Sequence, residues 1–273
     1  VNIQVKNSNE EQAAFAFSRQ AAVFDAQYAA NDIVHYKRKR VRNVLLQNLK
    51  PGSFILELNA GTGDDAVFLA QQGHNVHATD IAAGMQEKLV EKVAASGLSS
   101  MVSNECCSFT ALNMLLNKGP FDCIFSNFAG LNCTDELGKV LDGFDALLKP
   151  GGIVVLVVLP KFCLLETALV LKGKFKTATR RFFSANGRSA KIDGVPFTCW
   201  YYNPGFIRKR LRKQFQHLNT EGLCSLVPPS YIENFGTQYP KLFHWLCKME
   251  NRLKDKWPWR NCGDYYIISF KKN

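Results

Sequence analysis

The sequence predicts an α/β protein with a doubly wound, mostly parallel seven-stranded sheet, helices on both faces, and a lid inserted after the fifth strand. Three observations carry this. First, the apolar run Phe54-Ile55-Leu56-Glu57-Leu58 enters a small-residue turn, Asn59-Ala60-Gly61-Thr62-Gly63, and Asp64 to Ala70 continues as a helix. Second, Asn75 to Thr79 reads as another strand and ends on Asp80, an acid about twenty residues beyond the turn. Third, two more apolar runs, Phe121 to Phe125 and Ile153 to Leu159, are each bounded by turn residues, as buried parallel strands are.

The elements follow in chain order. Residues 1–50 are expected to form a helical cap. Ala13 to Phe17 and Ala21 to Tyr28 are helix formers, and Val41, Val44, Leu45 and Leu49 recur at helical spacing before Pro51-Gly52. Residues 51–160 form the expected nucleotide-binding core, with Leu147-Leu148-Lys149-Pro150-Gly151-Gly152 as the turn into strand five. Residues 161–204 are the expected lid and acceptor region. It comprises a helix over 161–183, then two short strands around Asp193-Gly194. Residues 205–273 complete the sheet: helix over 204–215, strand over 217–227, helix over 230–254 and a final strand over 265–270.

The turn limits the ligand. Glycines let the backbone approach closely, a helix start offers free N–H groups, and a carboxylate accepts from both ribose hydroxyls. In a G-x-G-x-x-G fingerprint the third glycine would fall at Ala66, and Asp64 and Asp65 stand where a pyrophosphate would rest. A ribose-bearing ligand without phosphate fits this turn better.

Over roughly residues 10–160 the chain resembles the class I S-adenosylmethionine-dependent methyltransferases. Glu57, Asn59, Gly61 and Gly63 match the acid-x-G-x-G-x-G motif, with asparagine replacing the first glycine; asparagine tolerates the unusual backbone angles such a turn requires. Asp80-Ile81-Ala82-Ala83-Gly84-Met85 is similar to the second motif, and Phe121 to Phe128 to the fourth-strand motif. The resemblance implies S-adenosylmethionine as cofactor, Glu57, Asn59, Ala60, Gly61 and Gly63 around it, and Asp80 on the ribose. Ile81, Met85 and Phe109 then lie beside the adenine, with Asn127 at the end of strand four. Relatives often place an Asp after strand three for the adenine amino group; here Ser108 aligns with it. Phe24, Tyr28 and Tyr36 of the leading segment are candidates to close over the cofactor, or else pack on the sheet.

Composition agrees with a soluble enzyme of the cytoplasm. The chain has 273 residues, 47% of them hydrophobic, without an apolar run of transmembrane length or a basic-then-apolar leader. Nine cysteines without a C-x-x-C pair argue against a disulfide framework and a zinc site, so no metal is expected. Phe182, Phe183, Phe197, Trp200, Tyr201 and Tyr202 crowd the expected lid and point to a small aromatic or apolar acceptor. A hydroxyl acceptor benefits from a base, for which His35, Tyr201 and Tyr202 are the candidates; His74 and His77 flank strand two. The net charge of +11 and the clusters Lys37 to Arg42, Arg208 to Lys213 and Arg180-Arg181 keep a tRNA or rRNA methyltransferase open, although Ser126-Asn127-Phe128-Ala129 lacks the (N/D)-P-P-(Y/F) pattern of enzymes acting on base amino groups. A catalytically silent cofactor-binding or partner subunit, suggested by Asn59 and the missing acid, is the third reading.

Overall fold

The computed structural model describes residues 8–273, so the first seven residues of the expected cap lie outside the described residues. Nine strands are described: β1 (Phe54–Leu58), β2 (Asn75–Asp80), β3 (Val102–Cys106), β4 (Phe121–Ser126), β5 (Leu148–Val158), β6 (Arg188–Ile192), β7 (Val195–Cys199), β8 (Phe215–Leu223) and β9 (Tyr265–Lys272). Seven form one sheet in the order β3-β2-β1-β4-β5-β9-β8, parallel except that β9 is antiparallel to both its neighbours. β6 and β7 pair as a separate antiparallel hairpin around Asp193-Gly194. The α/β sheet expected from the apolar runs is therefore the sheet that forms.

Both faces of the sheet are covered, which is why its strands read as continuous apolar runs. Along β5, Val154, Leu156 and Val158 enter one core with Leu56, Leu58, Ile124 and Phe144. Ile153, Val155 and Val157 enter the other, with Ile55, Val76, Phe125 and Leu69. The chain moves from β1 outward through β2 to β3, then returns to the far side of β1 as β4. Between β1 and β4 the direction of winding reverses, and the carboxyl ends of these two strands open a crevice.

Four helices frame that crevice: α1 (Ser8–Tyr28), α2 (Asp32–Asn48), α3 (Asp64–Gln71) and α4 (Ala83–Ala95). Asn31 caps α2, accepting from the Ile33 and Val34 N–H groups at 3.1 Å, and its amide donates to Ser230 O at 2.9 Å. α1 lies across α4 through Ala21, Met85, Phe17 and Phe24. Gly84 permits this approach, because a Cβ there would stand 2.7 Å from Ser18 O.

Three expected elements differ. The helix over 161–183 is broken into Leu164–Thr167, a 3-10 turn Ala168–Lys172 and Phe175–Thr179. Gly173 stops it in the left-handed region at φ +70°, and Arg181 turns inward to Glu166 and Asp264 at 2.5 and 2.6 Å. The helix over 230–254 is likewise two pieces, Phe235–Gln238 and Pro240–Leu253; Pro240 lacks the N–H needed to continue the first and sits well at the start of the second. The helix from Pro204 ends at Leu211, because Phe215 is drawn into β8 opposite Lys272.

The basic run in α2 is largely folded inward. Lys37 is buried, donates to Ser230 Oγ at 2.9 Å and lies 4.6 Å from the Tyr265 ring centre. Arg40 is buried too, bridging Glu221 at 2.9 Å and Glu250 at 3.3 Å. Glu250 in turn accepts from the Cys224, Leu226 and Val227 N–H groups. Removing one partner of a buried charge network strands the others. Arg40→Met should therefore cost about 3–5 kcal/mol in urea unfolding, while Lys39→Met, at the exposed neighbouring position, should change stability by about 0.5 kcal/mol or less. Similar losses for both would contradict the inward assignment.

Candidate functional site

The turn after β1 is held open by backbone geometry. Asn59, Gly61 and Gly63 all take positive φ, at +48°, +57° and +82°. Asparagine thus occupies the left-handed position expected of it, and its side chain is tied to the end of β4. Asn59 Oδ1 accepts from Ser126 Oγ at 2.6 Å, and Nδ2 donates to Asn127 O at 2.8 Å. Gly130 leaves room for this amide, since a Cβ there would come within 2.3 Å of Asn59 Cγ. Gly63 starts α3 and packs against Leu89. Beyond β4, Phe128 and Ala129 also take positive φ, +47° and +62°, a strained pair beside the crevice.

The crevice holds a cavity that opens to solvent at its mouth. Asn59, Ala60 and Gly61 form its floor, Asp80, Ile81, Ala82 and Met85 one wall, Asn127, Phe128, Gly130 and Cys133 another, and Phe109 closes it. Its roof is α1: Glu10, Ala13, Ala14 and Phe17 lie at helical spacing on the face turned to the cavity, with Phe24 two turns on.

Electrostatically the cavity is the reverse of the protein. The chain carries +11, yet Glu10, Glu57, Asp64, Asp65 and Asp80 all line the cavity, with Arg38 beside them. Asp64 pairs with Arg38 at 2.8 Å and with Lys92 of α4, which hold it below the usual carboxylate range against the cost of burial. Asp65 takes Arg42 at 2.7 Å and accepts from Asn127 Nδ2 at 2.7 Å. Asp80 accepts from the Gly61 and Ala82 N–H groups at 2.9 and 2.8 Å; burial raises its pKa and these N–H groups oppose the rise. Each Asp80 oxygen retains a further lone pair for an incoming hydroxyl. Glu57 is buried, and its Oε2 has no hydrogen-bond partner among the described residues. Burial first, then neighbouring Asp65, push Glu57 well above the usual range.

Most residues expected at the site converge. Glu57, Asn59, Ala60, Gly61, Asp80, Ile81, Met85, Phe109 and Asn127 line the cavity, and Gly63 lies directly behind it. Ser108 does not line it. Its hydroxyl is buried, caps the 3-10 turn at Thr110 and donates to Glu10 Oε2 at 2.5 Å. The residues missed include Glu10, Ala13, Ala14, Phe17, Arg38, Thr62, Phe128, Gly130 and Cys133; the i, i+3, i+4, i+7 spacing of Glu10 with Ala13, Ala14 and Phe17 is the signal that marks the first four.

The three candidate bases are not brought there. His35 is exposed, its Nε2 2.7 Å from Ala29 O, on the edge of a second, shallower cavity with Phe24 and Tyr28. Tyr202 donates to Thr134 O at 2.5 Å, and Tyr201 packs over Arg181; burial raises both phenols. His77 contacts Ser103 and Glu105 on the far part of the sheet. Of Phe24, Tyr28 and Tyr36, Phe24 reaches the main cavity, Tyr28 lies at the second one and Tyr36 turns away to Glu250. Among the described residues, none of 161–204 lines the cavity. The hairpin β6–β7 instead braces α1, with Phe197 5.9 Å from Phe17 and Asn9 bonded to Thr198 and to Cys133 O. Elsewhere Cys163, Glu166 and Asp264 lie close enough to share a cation, but the Arg181 guanidinium already holds both carboxylates.

Comparison with known proteins agrees with this geometry. A family described as a methyltransferase domain matches residues 55–152. The chain is 34% identical over 183 residues to demethylmenaquinone methyltransferase of Bacteroides fragilis, covering 63% of this chain and 73% of that one. It is 29% identical over 146 residues to an uncharacterized methyltransferase of Geobacillus kaustophilus, covering 53% of this chain. The match spans 62% of that relative's length. Among solved structures, magnesium protoporphyrin IX methyltransferase of Synechocystis with bound S-adenosylhomocysteine superposes with a TM-score of 0.60 at 13% identity, over 97% of this chain and all of that one, a likeness of fold.

The Asn59 turn yields a prediction. Asn59→Gly keeps the left-handed backbone and loses two hydrogen bonds, costing about 1–2 kcal/mol. Asn59→Ala loses the same bonds and adds about 1–2 kcal/mol of left-handed strain. Denaturant unfolding should rank wild type above Asn59→Gly above Asn59→Ala; alanine equal to or better than glycine would contradict the assignment.

Proposed function

Because the chain belongs to the class I S-adenosylmethionine-dependent methyltransferases, whose methyl donor is S-adenosylmethionine, we propose that it methylates a small aromatic or apolar acceptor in the cavity between β1 and β4. The observation that carries this reading is the acid-lined, apolar-walled cavity in a basic protein. Phosphate is repelled there, and a cationic ligand is favoured.

The residues present fit the donor. Glu57, with an unpartnered buried oxygen, is suited to the amino group, and Asp80 to the two ribose hydroxyls. Ile81, Met85 and Phe109 offer an apolar slot for the base. When bound, S-adenosylmethionine supplies an electrophilic methyl on a good leaving group. The protein's part is to align the acceptor and exclude water. Ala13, Ala14 and Phe17 from above, and Phe128 and Cys133 from the side, provide an apolar surround for an aromatic ring. The reading supplies no base from His35, Tyr201 or Tyr202, so it favours an acceptor acidic enough to lose its own proton, such as a phenol or an enol. The Bacteroides fragilis relative is named for action on a quinone, which agrees with a ring-shaped acceptor. Inward use of Lys37, Arg40 and Arg42 takes part of the α2 run away from an RNA substrate, while Arg208, Lys209, Arg210, Arg212 and Lys213 stay exposed. Among the described residues no helix is long and apolar enough to cross a membrane.

Two measurements test the proposal. With isotope-labelled S-adenosylmethionine, label should pass to phenolic or quinol acceptors and not to total tRNA; labelled tRNA with unlabelled phenols would overturn the acceptor class. The second concerns Glu57. Burial and neighbouring Asp65 raise its pKa in the free protein, and an ammonium beside it favours the carboxylate. Binding should therefore release a proton, and affinity should rise with pH through the free-state pKa of Glu57. Calorimetric enthalpies of S-adenosylhomocysteine binding, followed across a pH series, should vary with the buffer's ionisation heat, and Glu57→Gln should remove that variation. Buffer-independent enthalpies in the wild type would contradict the role.

A further inference from the structure

Glu10 brings a carboxylate from α1 to the segment just beyond β3. It sits in the first turn of α1 and is 2% exposed. Its Oε2 accepts from Ser108 Oγ at 2.5 Å and from Thr110 Oγ1 at 3.0 Å. Those hydroxyls sit immediately beyond β3 and beside Phe109, which lines the cavity. Glu10 Oε1 is buried and has no hydrogen-bond partner among the described residues, and Glu10 itself lines the cavity. A buried carboxylate oxygen without a donor is costly, and the polar groups beside it already serve its other oxygen. The site is therefore one donor short at the end formed by Ile81, Met85 and Phe109.

We propose that Glu10 Oε1 accepts a hydrogen bond from the exocyclic amino group of the cofactor's adenine, so that the roof helix reads the base. The proposal rests on the cofactor reading above and deepens it. It makes Glu10 a specificity-determining residue: a carboxylate accepts from an amino group and repels a carbonyl oxygen at the same place. It also links base recognition to seating of α1. That helix is already pinned by Asn9 to the β7 hairpin and by Asp25, which accepts from Thr62 Oγ1 at 2.6 Å. The Glu10 contact joins these two pins through the ligand, so binding and closure of α1 reinforce one another.

The test compares S-adenosylhomocysteine with S-inosylhomocysteine, which differ in an amino group against a carbonyl, by calorimetry on the full chain. Wild type should prefer the adenosyl compound by roughly 100-fold or more. Glu10→Gln, whose amide presents either a donor or an acceptor, should reduce the preference to about tenfold or less. Ser108→Ala leaves the Glu10 carboxylate in place and should retain the preference. Hydrogen exchange on the wild type gives a readout independent of any variant: the adenosyl compound, at saturation, should protect residues 8–28 more than the inosyl compound does. If S-adenosylhomocysteine binds but Glu10→Gln keeps the full preference, or if both compounds protect α1 equally, the Glu10 assignment is overturned while the cofactor reading stands. If neither compound binds the wild type, the cofactor reading falls and the Glu10 assignment with it.

Discussion

The constraint on which this structure turns is the gathering of carboxylates at the carboxyl ends of β1 and β2 in a protein of net charge +11. Unpaired acids at such distances raise one another's pKa and oppose folding. The fold answers with cations from helices that must then lie close by. Arg38 and Arg42 of α2 and Lys92 of α4 hold Asp64 and Asp65, so both helices are fixed against the start of α3. Asp80 is held differently, by two backbone N–H groups that its neighbouring turns direct at it. Among the described residues, Glu57 and Glu10 each keep one oxygen without a partner. Those two oxygens define what the ligand must bring: hydrogen-bond donors and positive charge.

This arrangement explains why a strongly basic chain need not have a basic function. Lys37, Arg40 and Arg42 lie within about a turn and a half of α2, where in sequence they resemble a solvated or phosphate-binding face. In the fold they reach three separate partners, the Ser230 hydroxyl, the Glu221–Glu250 pair and Asp65. Arginine suits these places because its planar fork meets several acceptors at once. Much of the charge run is thus internal scaffolding for the acidic cavity and for the join between α2 and the last third of the chain.

The fold was legible because its signals are local. Apolar runs of strand length, the left-handed turn residues Asn59, Gly61 and Gly63, and an acid at the end of β2 each leave a pattern within a few residues. The site was legible where it belongs to those same loops, as with Asp80, Ile81 and Met85. What sequence could not supply was pairing across long separations. Ser108 aligns with an adenine-facing position, but its hydroxyl is taken by Glu10, 98 residues away. The aromatic stretch 182–202 reads as a lid, yet the roof is α1, and the hairpin's Phe197 supports Phe17 from behind. A hydrophobic cluster has the same composition whether it lines a pocket or braces the helix that does. The helix expected over 161–183 failed for a related reason. Its periodicity ignored the inward pull of Glu166 and Asp264 on Arg181, together with the stop at Gly173.

The acid-lined cavity suits a cationic nucleoside without phosphate. Parallel calorimetric titration of the protein with S-adenosylmethionine and with NADH tests it most directly. Both ligands carry adenine and ribose, and they differ in sulfonium against pyrophosphate. Saturable binding of S-adenosylmethionine with no heat from NADH is the predicted result. Binding of NADH with comparable affinity, or silence from both, would contradict it.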